Sequence, residues 1–469
     1  MRNSVAVWEK VEDRRNAYIA LADRVFDAPE LLYAEHRAVA EHAAALEAEG
    51  FRVTRGPAGI PTAVIGEAGE GGPVIAILGE YDALPGLSQQ PGVAEHRPVE
   101  PGGAGHGCGH NLLGSAALLA ATAVKDYLAD QGIQGRVRYY GCPAEEGGAA
   151  KTYMVRDGLF DDVDVAISWH PASWTGVDDA RSLANTRIDF TFTGRAAHAA
   201  GAPELGRSAL DACELMSVGV NYMREHMPDD ARVHYAYLDA GGPAPNVVQA
   251  RATVRHLIRA RGNAGLAQLV ARVRKIAEGA ALMTETTVEA RTFSAVSNLV
   301  GNRPLEQAMQ GALDRLGPVP FDEADRAFAR AIRATLTADD IEATFRRMGR
   351  APDPELALCD FVAPLDRPRM GGEGSTDLGD VSWAVPTVQA RVATCAIGTP
   401  FHTWQTTAQG KTPAAHKGMV HAAKAMADVA AAAITEGGLR EAARAEHARR
   451  AAAYRCPLPP EAAPPVGRA

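Results

Sequence analysis

PVIAILGEYDA, residues 73–83, is the stretch whose reading decides the fold. Its uninterrupted apolar run, Val74–Leu78, suits a strand covered on both faces, and the run ends in a turn carrying Glu80 and Asp82. Downstream, NLLGSAALLAATAVKDYLA (Asn111–Ala129) reads as a strong helix. RVRYYGCPAEEGG (Arg136–Gly148) and VDVAISWHP (Val163–Pro171) are two more short apolar strands that end in polar residues. Upstream, Val5–Gly50 shows helical spacing and reads as two helices. The alternation predicts an α/β unit with a mostly parallel sheet flanked by helices.

The pattern changes near Leu183. NTRIDFTFTG (Asn185–Gly194) alternates like a half-exposed strand, and a helix, two strands, a second helix and the strand TTVEARTF follow it. Strand-helix-strand-strand-helix-strand is the order of a split βαβ, ferredoxin-like α+β unit. Residues 184–292 therefore read as an insert, with 1–183 and 293–451 as the two parts of the first unit. The second part carries the loop GGEGSTDLGD (Gly371–Asp380), the strand TVQARVATCAIG and a long helix from about Ala414. The Pro- and Ala-rich end, 452–469, reads as a loose tail.

At 469 residues the chain exceeds one ordinary core. A net charge of −9 gives no electrostatic reason to expect nucleic acid or an anionic membrane, so small molecules are the expected partners. The N-terminus lacks a signal-peptide pattern and no apolar stretch is expected to span a membrane, which points to the cytoplasm. Six scattered cysteines do not form a disulfide framework.

Cys108 lies in GHGCGHN (Gly105–Asn111), two residues from His110, so both side chains can face one point. That suits a metal, although the segment alone reads equally as a glycine-rich loop with incidental polar residues. The strand ends add Glu80, Asp82, Glu145, Glu146 and His170, and in open α/β sheets these ends form the ligand crevice. Neighbours in extended backbone point apart, so one of Glu145 and Glu146 can bind metal while the other takes a proton from water. Singly, an acid after a strand also serves as a helix cap, and His-Pro as a turn. No G-x-S-x-G elbow, P-loop, H-E-x-x-H helix or dinucleotide fingerprint occurs. A hydrolase with Cys108 as nucleophile is the rival chemistry, and it leaves the glutamate pair and His170 unused.

GEYDALPG, GHGCGHNLLG, PAEEGG, SWHP, GRAAHAA, STDLGDVSW and GTPFHTWQ, in this order between about Asp82 and Met426, resemble the dinuclear metallopeptidase and amidohydrolase family that includes aminoacylase, acetylornithine deacetylase and glutamate-releasing carboxypeptidase. The resemblance implies a catalytic domain and a dimerising lid. It implies two divalent ions per subunit, Zn²⁺ or Mn²⁺, held by Cys108, His110, Glu146, His170 and His402, with Glu145 as general base. It further implies that His198 stabilises the oxyanion, often in a partner's site, and that Asn246 and Arg259 hold the substrate carboxylate. Many relatives have histidine where this chain has Glu80, which leaves Cys108 as the ligand and Asp82 behind the ligands. Asn111 stands where an aspartate often follows the ligand histidine, a change expected to weaken one metal. The implied activity is hydrolysis of an N-acyl amino acid, such as an aromatic-acyl glutamate, or of a dipeptide. The implied assembly is a homodimer or a hetero-oligomer with a related chain, in which this chain could also be a non-catalytic binding subunit.

Overall fold

The computed structural model describes residues 4–368, 374–451 and 454–467. Residues 371–373 of the glycine-rich loop and 452, 453, 468 and 469 of the tail lie outside the described residues. Eleven strands lie within them: β1 (Arg52–Arg55), β2 (Val64–Glu70), β3 (Val74–Glu80), β4 (Gly135–Cys142), β5 (Val165–Ala172), β6 (Gly176–Val177), β7 (Ala184–Thr193), β8 (Arg232–Asp239), β9 (Arg251–Ala260), β10 (Thr287–Val296) and β11 (Thr387–Ala393). Seven form one sheet in the order β1-β2-β4-β3-β5-β11-β6, and four form a second in the order β10-β7-β9-β8.

β4, β3, β5 and β11 pair in parallel, as strand-helix alternation demands. β1, β2 and β6 join antiparallel, so the sheet is mixed and its parallel part is confined to the centre. The connections explain this: β1 to β2, β2 to β3 and β5 to β6 are too short for a crossover, so each must turn back. All seven residues of β3 are buried. On this sheet lies the helix His110–Gln131, between the helices Ser4–Phe26 and Pro413–Thr435. Contrary to expectation, that helix is long and apolar enough to cross a membrane, yet 83% of its apolar window is buried inside the protein. Its composition serves a core position.

The helix sits close to β3 because glycines face each other. A Cβ on Gly114 would lie 2.5 Å from the Glu80 carbonyl oxygen, and one on Gly79 would lie 3.0 Å from the Gly114 Cα. This contact places the N-terminal end of the helix beside the last residue of β3.

β7, the helix Ala209–Met223, β8, β9, the helix Asn263–Thr284 and β10 follow the split βαβ order, with every strand pair antiparallel. Their own core includes Phe190, Phe192, Met216, Val254, Ile258 and Leu269. Asn185 near the start of this excursion pairs with Val296 at its end, so the strand continues beyond residue 292. The tail is not loose over 454–467. Tyr454 donates to the Asp380 carboxylate at 2.9 Å, and Leu458 is buried in a cluster with Tyr153 and Phe160. Tyr153 and Arg156 also donate to the Ala463 and Ala462 carbonyls, which ties the tail to the first unit.

Gly114→Ala is expected to lower the unfolding free energy by about 1–3 kcal/mol, the usual cost of overpacking, in urea denaturation. Gly438→Ala, whose added methyl group meets nothing, is not expected to lower it.

Candidate active site

Because the four central strands run the same way, their carboxyl ends share one edge. Glu80 closes β3 and Asp82 follows it; Glu145 and Glu146 follow β4; His170 lies near the end of β5; His402 follows β11. Cys108 and His110 stand at the start of the long helix, where Gly109 caps with φ 73°. Ala144 (φ 58°) and His402 (φ 63°) also take the left-handed conformation, which is uncommon away from glycine. Such backbone persists where its surroundings hold it. Here the Glu35 carboxylate accepts from the Ala144 N–H at 2.9 Å, and the His402 N–H donates to the Gly107 carbonyl at 2.9 Å.

Three overlapping groups result, each with ligand atoms within 4.8 Å of one another: Cys108, His110 and His170; Cys108, Glu146 and His402; Glu80, His110 and Glu145. Cys108 Sγ lies 3.4 Å from His170 Nε2, and His402 Nε2 lies 3.3 Å from Glu146 Oε1. The first two groups share the cysteine. His110 Nδ1 is 2.8 Å from Asp82 Oδ1, and His170 Nδ1 is 2.7 Å from the Pro171 carbonyl. Donation at Nδ1 leaves each Nε2 with a lone pair, the usual state of a metal-binding imidazole. Glu80 Oε2 and His110 Nε2, 3.3 Å apart, are buried without a hydrogen bond. Thiolate, imidazole and carboxylate converging around such orphaned atoms fit divalent cations.

Electrostatics explains what the sequence reading missed. Glu80, Asp82, Glu145, Glu146 and Asp377 crowd one region, and Lys151 is fully buried among them. Its Nζ lies 2.7 Å from Glu80 Oε1 and 2.6 Å from Asp377 Oδ1. Neither Lys151 nor Asp377 lies at a spacing that announces a role. The only signal is that so many converging acids require a buried cation. Burial, Glu80 and Glu146 push the Glu145 carboxyl well above the carboxylate range. Although burial opposes its charge, Asp82 and Cys108 hold His110 well above its ordinary value. Burial pushes the Cys108 thiol up, and Glu146 adds to the shift. His170, its hydrogen-bond partner, is held well below its ordinary value by burial and Arg391. A thiol-imidazole pair with these shifts does not make a nucleophilic thiolate unaided, which disfavours the cysteine-nucleophile reading.

Of the remaining expected residues, Arg259 lines a cleft of about 220 Å³ with Glu145, Glu146 and His402, and donates to Ser375 Oγ at 2.8 Å. Asn246 does not join it. Asn246 and His198 lie together on exposed loops, where the Ala199 N–H donates to the Asn246 carbonyl at 3.0 Å and His198 pairs with Val247. The imidazole of His198 accepts from the Ala200 and Gly201 N–H groups, and neither residue lines the cleft of Arg259. The Asn111 amide donates to the Gly410 and Ala22 carbonyls.

This arrangement matches known proteins. Residues 76–356 match the model of Peptidase family M20/M25/M40. The chain is 48% identical over 468 residues to one of the subunits of the p-aminobenzoyl-glutamate hydrolase of Escherichia coli (strain K12), covering 97% of both chains. It is 27% identical over 453 residues to the Xaa-Arg dipeptidase of Mus musculus, covering 93% of this chain and 90% of that one. A crystal structure from Bacillus subtilis, described as a dinuclear metal binding peptidase of the M20 family, shares the fold with a TM-score of 0.56 at 17% identity, over 90% of this chain and 99% of that one. A cluster of possible metal ligands at the ends of four parallel strands agrees with a family match over more than half the sequence and a relative 48% identical over 97% of the chain: the chain is a hydrolase of peptidase family M20/M25/M40.

Proposed function

We propose that the protein hydrolyses the amide bond of an N-acyl amino acid, with aromatic-acyl glutamates as the leading substrates and dipeptides as the alternative, using two divalent ions, Zn²⁺ or Mn²⁺. One observation carries this reading: two sets of donors share Cys108, and Glu145 stands beside them outside both sets. The relatives, one a p-aminobenzoyl-glutamate hydrolase by name and one a dipeptidase, support the same bond type.

Cys108, His110 and His170 would hold one ion, and Cys108, Glu146 and His402 the other. When bound, the ions supply polarisation of the scissile carbonyl and acidification of the attacking water. Asp82 fixes the His110 tautomer through Nδ1 and, through its other oxygen, accepts from the Glu146 N–H at 2.9 Å. Glu145 takes the proton from the attacking water and passes it to the leaving nitrogen. Arg259 binds the substrate carboxylate.

His198 and Asn246 belong, in this reading, to the site of a second copy. β8 is an edge strand with Tyr235, Tyr237 and Leu238 exposed, and Tyr222, on the helix Ala209–Met223, is 78% exposed, which supports an interface between inserts. A homodimer follows, with a hetero-oligomer as the alternative because the bacterial relative is by name one subunit of its enzyme. The complete donor set supports a catalytic chain over a silent one. The cytoplasm is the proposed location, which the six free cysteines support.

Exhaustive chelation is expected to abolish hydrolysis and added Mn²⁺ or Zn²⁺ to restore it, while Cys108→Ser lowers both bound metal and rate. Chelated protein that stays active but is killed by iodoacetamide would instead establish the cysteine nucleophile. Glu145→Gln is expected to keep its metal and lose roughly 10²-fold or more in turnover, whereas Glu146→Gln loses metal. Metal analysis beside kinetics reads the pair, and the reverse pattern would exchange their roles. His198→Ala is expected to raise the barrier by about 2.7–4 kcal/mol with fold and metal intact. Mixing it with Glu145→Gln subunits should regain part of the activity; no recovery after demonstrated exchange would put His198 in its own chain's site or in none.

A further inference from the structure

The cleft that holds Arg259 contains a second guanidinium, and among the described residues neither is paired with an acid. Arg187 lines the same wall with Arg259, Glu145, Glu146 and His402. Asn185 and Arg259 are direct partners across β7 and β9, and Arg187 stands two residues along β7 on the face of Asn185. Arg187 and Arg259 are therefore diagonal neighbours on one face of the insert's sheet, about 7–8 Å apart between backbones, within reach of one small ligand.

Neither has a carboxylate within ion-pair distance among the described residues. Arg187 Nη1 donates only to the Gly147 carbonyl, at 3.3 Å, and Arg259 to Ser375. Asp189 is already taken by Arg255, with contacts of 2.6 and 2.9 Å. The approach of Arg187 also depends on Gly147, where a Cβ would lie 2.7 Å from Nη1. Burial and repulsion from Arg255 and Arg259 depress the basicity of Arg187, so its charge is held at a cost that a ligand anion would relieve. Two half-buried guanidinium groups on one wall suit a ligand that carries two negative charges.

We propose that Arg187 reads a second carboxylate, so that the leaving amino acid is dicarboxylic: Arg259 takes its α-carboxylate and Arg187 its side-chain carboxylate. This rests on the amidohydrolase reading and adds to it the residue that sets selectivity. A single carboxylate, as on a neutral leaving amino acid, leaves Arg187 without a carboxylate partner. A basic leaving residue is repelled by it.

The test uses metal-loaded protein with N-(4-aminobenzoyl)-glutamate, -glutamine and -alanine, in wild type, Arg187→Met and Arg187→Lys. The wild type is expected to favour the glutamate substrate in kcat/KM. Arg187→Met is expected to lower the glutamate-to-alanine ratio about 10- to 100-fold, mainly through KM, the scale of one hydrogen bond to a charged group, with partial rescue by lysine. Calorimetric binding of the three compounds to Glu145→Gln protein should show the same ratios without turnover. Equal losses on all three substrates, an unchanged ratio, or a wild type that does not separate glutamate from glutamine would overturn the inference and leave the amidohydrolase reading standing. Selective, Arg187-dependent binding of the glutamate compound without hydrolysis of any would keep the inference and overturn that reading.

Discussion

Both oxygens of the Asp82 carboxylate are used, and they are used on different parts of the chain. One holds His110 at the start of the long helix, and the other holds the backbone of Glu146 after β4. A single buried side chain thus sets the distance between two segments that share no covalent connection shorter than the helix and a strand. Charge makes the bond strong and burial makes it directional, since water cannot replace either partner. The donor atoms converge because this carboxylate leaves their supports little freedom.

The same crowding requires compensation. Asp82 brings a fixed negative charge into a region that already contains Glu80, Glu145, Glu146 and Asp377, and acids so close together cannot all ionise without cations. Lys151 compensates two of them from below, at Glu80 and Asp377. Above, the cluster keeps orphaned donor atoms that a divalent ion would satisfy. Lys151 is thus the counter-charge that the chain itself supplies. Asp380 repeats the satisfied pattern nearby, accepting from Thr152, Ser297 and Tyr454, which joins the helix after the glutamate pair, the return from the insert and the tail.

Much of this was legible in the sequence because it is local. The apolar run of β3, the helix behind GHGCGHN and the alternation in NTRIDFTFTG each follow from spacing, and the acids at the strand ends follow from the direction of a parallel sheet. Edge strands were less legible. β1, β2 and β6 owe their direction to short connections that carry no hydrophobic period. The long helix deceived in another way: burial on all sides and passage through lipid ask for the same composition, and only its neighbours distinguish them. Lys151 and Arg187 were illegible because their roles arise from partners far along the chain: Asp377 for the lysine, and for the arginine an empty space shared with Arg259. The separation of Asn246 from Arg259 was hidden too, since thirteen residues of sequence do not say on which side of a strand pair a loop comes to rest.

The insert leaves and rejoins the first unit at adjoining points, with Asn185 paired to Val296. Two such points are separated by about one strand spacing, so a short turn could close the gap in its absence. The cost of interrupting a surface connection grows only slowly with the length inserted, and a unit with its own core contributes its own stability. The two units therefore keep separate sheets and separate cores, and the connection between them asks little of either. The fold is in this sense a host and a guest, and the two meet where Arg187 donates to the Gly147 carbonyl and Arg259 to Ser375.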